Sequence, residues 1–183
     1  DFLSAINQSL GARPIIAEDL GEAAKEAAVL RKKFDIPGMS ILQMAFGENA
    51  NINGNLKSLD SEINVVYTGT HDNDTTIGWF QTLPESVIST QIEADIVKER
   101  KRALKFLGTD GSEINWDLIS LALHSKANTV IIPLQDILGL GTNARMNTPG
   151  TIEGNWQWRF KNNTLTNDII ERMRTLTEES KRL

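Results

Sequence analysis

The sequence predicts an α/β fold built on parallel strands, and three observations carry that expectation. Short runs that are apolar at nearly every position alternate with helical patterns along the whole chain. Runs of that kind suit strands buried on both faces, as in a parallel sheet covered by helices. Polar and acidic residues gather where the strand runs end, most densely after Val65–Tyr67 in the stretch VVYTGTHDNDTT. An open doubly wound sheet and one half of a (β/α)8 barrel both satisfy this pattern, and periodicity does not separate them.

The elements follow in order. Phe2, Leu3, Ile6 and Leu10 recur at helical spacing and Gly11 stops the run, so residues 2–10 read as the end of a helix. Pro14 precedes a first strand over 15–17, which Glu18 and Asp19 end. A helix rich in Ala, Glu, Lys and Leu is expected over about 22–34, closed by Pro37 and Gly38. Residues 39–46 (MSILQMAF) read as the second strand and 47–64 as a long Asn- and Gly-rich loop. The third strand is 65–68. A long amphipathic helix is expected over 85–107, with Gly108 as its stop. The next helix carries Trp116, Ile119 and Leu123, with Leu118 and Ala122 beside them, capped by Ser112 or Asn115. Residues 129–132 form the fourth strand, a Gly-rich turn spans 139–141, and 143–160 is irregular. A last helix over 166–183 places Ile169, Ile170, Met173 and Leu176 on one face. Glu178 and Glu179 oppose the helix dipole there, which predicts fraying.

Composition removes several function classes. With 24 acidic against 19 basic residues the net charge is −5, which disfavours a nucleic-acid footprint. The chain has no cysteine, so disulfides, thiolate catalysis and zinc–thiolate sites are out. No apolar run is long enough to span a membrane. The opening DFLSAINQSL lacks the basic start and apolar core of a signal peptide, and the chain begins without Met, as a processed or partial chain would.

The candidate chemistry lies at strand ends. Glu18 follows Ile15-Ile16-Ala17, so partial burial would suit it to general acid work. It reads equally as an acid that caps the next helix. Asp19 is the better candidate for a cap or a backbone-holding role. Asp72 supplies an anion for a developing positive charge or for sugar hydroxyls, and His71 a donor to an oxygen ligand or a partner that orients Asp72. The alternative for the group Thr70, His71, Asp72, Asn73 and Asp74 is an Asx-rich turn, with Asp74 its structural member. His71 and His124 lie far apart and no metal-binding spacing exists, so neither a metal nor a cofactor is expected. Gly139-Leu140-Gly141 lacks a third glycine and is a weak nucleotide signal. Trp79, Trp156 and Trp158 suit sugar stacking or core packing. Arg145, Asn147, Asn155 and Arg159 either bind hydroxyls or tie down the irregular segment.

The stretches AEDLG (17–21), FDIPGMSILQMAF (34–46), YTGTHDNDTTIGWF (67–80), NTVIIPLQDILGLG (128–141) and ARMNTPGTIEGNWQWRF (144–160) closely resemble the carboxyl-terminal part of the 4-alpha-glucanotransferases. These are the amylomaltases, or disproportionating enzymes, of glycoside hydrolase family 77. The resemblance runs over nearly the whole chain. It implies that residues 1–183 are the second half of a glycoside hydrolase (β/α)8 TIM barrel, strands five to eight with their helices, incomplete as it stands.

The implied activity is retaining transfer of an α-1,4-glucan segment from one maltooligosaccharide to the 4-hydroxyl of another glucan or glucose. Glu18 matches the general acid/base, Asp72 the carboxylate that stabilises the transition state, and His71 the histidine that binds hydroxyls of the same sugar. The implied partners are α-1,4-glucans, with neither nucleic acid nor membrane. The implied compartment is the cytoplasm, or the plastid in a plant. The family's nucleophilic aspartate belongs to an Arg-x-Asp-His-type motif on strand four, which this sequence lacks. The remainder of the same polypeptide is therefore expected to supply the nucleophile, and residues 1–183 alone to be inactive. A catalytically silent glucan-binding or structural module, and an α-glucan hydrolase, are the alternatives.

Overall fold

The architecture is built outward from Val66, which is wholly buried at the centre of a three-stranded parallel sheet. The computed structural model describes residues 2–11, 13–21, 23–47, 56–81 and 90–183. The elements are α1 (Phe2–Leu10), α2 (Ala24–Lys33), β1 (Met39–Ile41), β2 (Val65–Tyr67), α3 (Thr76–Gln81), α4 (Thr90–Leu107), α5 (Ile114–Leu123), β3 (Thr129–Ile131), α6 (Leu134–Ile137) and α7 (Asn167–Glu179). The strands lie in the order β1–β2–β3, with Ser40 opposite Val66 and Val66 opposite Val130. No helix among the described residues is long and apolar enough to cross a membrane.

Helices close one face of this sheet. Val66 packs with Leu118 and Ala122 of α5, Ala103 of α4, and Leu42, Ala45 and Phe46. The other side of α5 holds Trp116, Ile119 and Leu123 against Ile169, Met173 and Leu176 of α7. The single apolar set expected of α5 is therefore two, because this helix is sandwiched between the sheet and α7. The opposite face buries Met39, Ile41 and Val65, and Leu3 and Asn7 of α1 line a hollow there with Val65. There Tyr67 and Ile131 border a hollow of about 360 Å³, and Val65 and Thr129 a second of about 580 Å³. A parallel sheet with α4 and α5 packed on its Val66 face is consistent with part of a (β/α)8 barrel.

Other expectations shift for local reasons. Residues 15–17 are extended but do not join the sheet ladder. They make a single backbone bond to the next segment, from Ala17 N–H to the Pro37 carbonyl at 2.8 Å. The run 39–46 keeps only three strand residues, because Leu42–Met44 coils into a 3₁₀ turn that carries Leu42, Ala45 and Phe46 into the core. Glu113, not Ser112 or Asn115, takes the cap position of α5 and makes no side-chain cap bond. Asn115 is buried instead and donates to the Asp136 carbonyl at 2.8 Å. The expected helix over 85–107 is observed from Thr90, its first five residues lying outside those described, as do 48–55 of the expected loop. Of the rest of that loop, Leu56–Asp60 coils into a 3₁₀ helix. Helix α7 stops at Glu179, but the residues beyond it are held rather than frayed: Arg182 donates to the Leu123 and Ser125 carbonyls at 2.6 and 2.8 Å.

Two buried polar networks fix the sheet to its surroundings. In the first, Asp19 receives Arg31 Nε at 2.6 Å and the Met39 N–H at 3.0 Å. Arg31 also reaches Asn64 Oδ1 at 3.3 Å, and Asn64 donates to the Ser40 hydroxyl at 3.2 Å. Gly38 is required beside them, since a Cβ there would lie 2.5 Å from both Arg31 Nε and Asp19 Oδ2. In the second, Asp136 accepts from the Thr68 hydroxyl at 2.5 Å and from the Thr76 N–H at 2.7 Å. It thereby ties the end of β2 to the start of α3.

Arg31→Met should destabilise the chain by about 3–5 kcal/mol, because Asp19 would keep a buried charge with no cation. Urea unfolding of wild type and variant checks this. Burial pushes the Asp136 carboxyl above its ordinary value of 3.8, against the two hydrogen bonds that favour its anion. The folded state then holds that proton more tightly than the unfolded one. Its contribution to stability is greatest at low pH and declines as pH rises from about 3.8 through the raised folded value. The stability of wild type minus that of Asp136→Asn, followed from about pH 3 to 7, should therefore fall with pH. A difference that rises would reverse the assignment.

Candidate active site

The loop after β2 spends Thr70, Asn73, Asp74 and Thr75 on its own turn and the helix start. Asn73 Oδ1 accepts from both the N–H and the hydroxyl of Thr70 at 2.8 Å, and Thr70 Oγ1 accepts the Asp72 N–H at 3.3 Å. Asp74 accepts the Thr75 N–H at 2.7 Å and the Thr142 hydroxyl at 2.9 Å. Thr75 Oγ1 accepts the Gly78 N–H at 3.0 Å and so caps α3. The Asx-turn reading thus holds for Asn73 and Asp74. His71 and Asp72 are left on the outside of the turn, their side chains 46% and 43% exposed, with His71 Nε2 3.4 Å from Asp72 Oδ1.

The irregular segment 145–156 reaches back to this pair. Arg145 Nη2 donates to the Asp72 carbonyl at 2.7 Å, and Asn147 Nδ2 to Asp72 Oδ1 at 2.6 Å. Trp156 sets its ring 5.1 Å from that of His71, at 35°. Its φ of 61° is rare for so bulky a residue and is held by its N–H bond to the Met146 carbonyl at 2.7 Å. Core packing, the commoner fate of a tryptophan, falls to Trp79 and Trp116. Trp79 donates to Glu99 and stacks near Phe46, and Trp116 carries the Arg172 guanidinium 4.3 Å over its ring. The four polar residues that sequence left open between hydroxyl binding and tying down the chain all bond other protein groups here. Asn155 bonds Thr148 and Thr151, and Arg159 bonds the Trp156 and Trp158 carbonyls.

Glu18 and His71 border one hollow at the carboxyl end of the sheet, walled by Ile16, Tyr67, Ile131 and Pro133. Burial pushes the Tyr67 hydroxyl up, and the negative charge of Glu18 pushes it the same way. Glu18 itself is exposed, and residues 15–17 form no ladder beside it. Nor does it cap α2, whose cap position is Ala23 with no side-chain bond. Asp19, next along, holds backbone as expected. Asp72 does not line the hollow of Glu18. It adjoins that hollow through His71 and borders a neighbouring one with Asn73, Asp74 and Arg145. Among the described residues no cluster of three or more metal-ligating side chains occurs. Gly139, at φ 62°, ends α6 rather than opening a phosphate loop, and His124 turns back onto the Ser120 carbonyl.

Sequence reasoning overlooked Asp136. The signal was present: like Glu18 and Asp72, it is an acid just past the carboxyl end of an apolar strand run, here after Pro133.

The sequence profile of the family described as 4-alpha-glucanotransferase matches residues 1–166. The chloroplastic/amyloplastic 4-alpha-glucanotransferase of Arabidopsis thaliana is 45% identical over 164 residues, which cover 89% of this chain and 26% of that one. The 4-alpha-glucanotransferase of Synechocystis is 42% identical, over 97% of this chain and 33% of its own length. Among solved structures, amylomaltase from Streptococcus agalactiae in complex with acarbose superposes with a TM-score of 0.81 at 28% identity, covering 97% of this chain and 34% of that one. The chain thus spans about a quarter to a third of the length of these relatives.

Proposed function

The chain belongs to the 4-alpha-glucanotransferase family, glycoside hydrolase family 77, and from that membership we propose that it is the carboxyl-terminal half of the catalytic barrel of such an enzyme. The reaction is retaining transfer of an α-1,4-glucan segment between maltooligosaccharides, or from one of them to glucose. The observation that supports the reading is that Glu18 and His71 border one hollow at the carboxyl end of the parallel sheet, with Asp72 beside His71.

Glu18 protonates the leaving glycosidic oxygen, and the departing glucan carries that proton away. The sugar left behind passes through an oxocarbenium-like state, whose positive charge Asp72 favours, while His71 donates to its hydroxyls. A nucleophilic carboxylate from the remainder of the polypeptide bonds the anomeric carbon, about 5 Å from the acid/base as retention requires. Glu18, now ionised, takes the proton of the incoming 4-hydroxyl as that oxygen displaces the carboxylate. Ile131 and Pro133 beside Glu18 give an apolar wall against which a sugar face can pack in place of water. The substrates are α-1,4-glucans. No cofactor enters these steps, and neither nucleic acid nor membrane takes part. The compartment we infer is the cytoplasm, or the plastid in a plant, in keeping with the name of the Arabidopsis relative.

In the full-length polypeptide, Glu18→Gln should lower transfer on maltotriose by about a hundredfold or more. Asp72→Asn should do so comparably, with an unchanged melting temperature. The products separate the alternatives: a ladder of longer and shorter glucans marks a transferase, free glucose without redistribution a hydrolase. Wild-type turnover by either variant would reject that residue's role.

A further inference from the structure

We propose that Asn147 is the positioning residue for Asp72. The inference rests on the role of Asp72 proposed above and adds a group that acts through it. The two residues are 75 apart in sequence, yet the 2.6 Å bond from Asn147 Nδ2 to Asp72 Oδ1 is among the shortest side-chain bonds of the site. Hydrogen bonds to a carboxylate are strong and short, and an amide nitrogen is the only end of Asn that can meet one. Asp72 Oδ2 has no hydrogen bond to any described residue. Asn147 thus occupies one oxygen and leaves the other for the sugar.

The support extends a step further. Arg145 donates Nε to the Asn147 carbonyl at 2.8 Å and Nη2 to the Asp72 carbonyl at 2.7 Å. One planar guanidinium therefore sets the distance between the two backbones, and the Asn147–Asp72 bond fixes the carboxylate's rotation. A half-exposed aspartate on a turn would otherwise sample several rotamers. Charge stabilisation in a transition state depends on groups already aimed at it, and a displacement of about 1 Å can cost about a hundredfold. His71 does not replace Asn147, since its Nε2 stands 3.4 Å from the same oxygen.

The test uses the full-length polypeptide with maltotriose, and compares Asn147→Ala, Asn147→Asp, Asp72→Asn and the double variant Asp72→Asn/Asn147→Ala. Expected for Asn147→Ala is a fall in kcat of about 10- to 100-fold with KM within about threefold of wild type. Asn147→Asp keeps the shape but sets an anion against Asp72, so it should be at least as slow as Ala. On the Asp72→Asn background, Asn147→Ala should cost less than about twofold more, because the group it acts through is already altered. An equal penalty on both backgrounds, or an Asn147→Asp variant faster than Asn147→Ala, would show a space-filling role and overturn the proposal. So would an Asn147→Ala variant with wild-type kcat. If Asp72→Asn itself turned over at the wild-type rate, the reading of Asp72 would fail instead, and the two failures are told apart by that single variant.

Discussion

One buried carboxylate holds the working end of the sheet together. Asp136 is almost fully enclosed, and its two oxygens are divided between the Thr68 hydroxyl, just past β2, and the Thr76 N–H, at the start of α3. The loop that carries His71 and Asp72 is the chain between those two points. Its ends are thus fixed by a group that lies past β3, some sixty residues away. Burial makes the anion costly, and the two donors offset part of that cost. The turn within the loop, with Asn73 and Asp74 as its internal braces, depends on that boundary condition.

A second layer of support is laid over the first by the irregular segment. It contains little regular structure beyond the 3₁₀ turn at Thr142–Ala144, but its polar side chains are committed to backbone carbonyls and to Asp72. Irregular chain that is heavily hydrogen-bonded to itself can be as well defined as a helix. The left-handed backbone at Trp156 belongs to this economy of form. A bulky residue there is strained, and its ring lies against His71.

The sequence made the alternation of strands and helices legible, because consecutive apolar residues and helical spacing are local signals. It also marked Glu18, His71 and Asp72 as candidates, because each follows an apolar run. What it hid was relational. That Leu42–Met44 would coil away from β1 follows from the core it enters, not from a local apolar run. Asn115 reads as a cap until Asp136 is known to lie beside it. Residues 15–17 have the composition of a strand, but a strand is defined by pairing, and one hydrogen bond to Pro37 does not make a ladder. Residues 143–160 read as an untidy stretch, although within them lie the residues that hold Asp72.

The two polar networks occupy separate stretches of sequence. The one around Arg31 runs from Asp19 to Asn64. The one around the site runs from Thr68 to Asn147. They adjoin across β2, where Val65–Tyr67 contributes apolar packing and backbone pairing that any similar strand could provide. For recombination between relatives, this makes β2 a natural seam. A crossover there inherits each network whole from a single parent, and it splits contacts such as Gln43 to the Asp74 carbonyl and Arg102 to the Phe46 carbonyl, each of which needs a side chain on one side and only backbone on the other. A crossover between residues 76 and 136 would instead bring the two halves of the site from parents that never fitted them together.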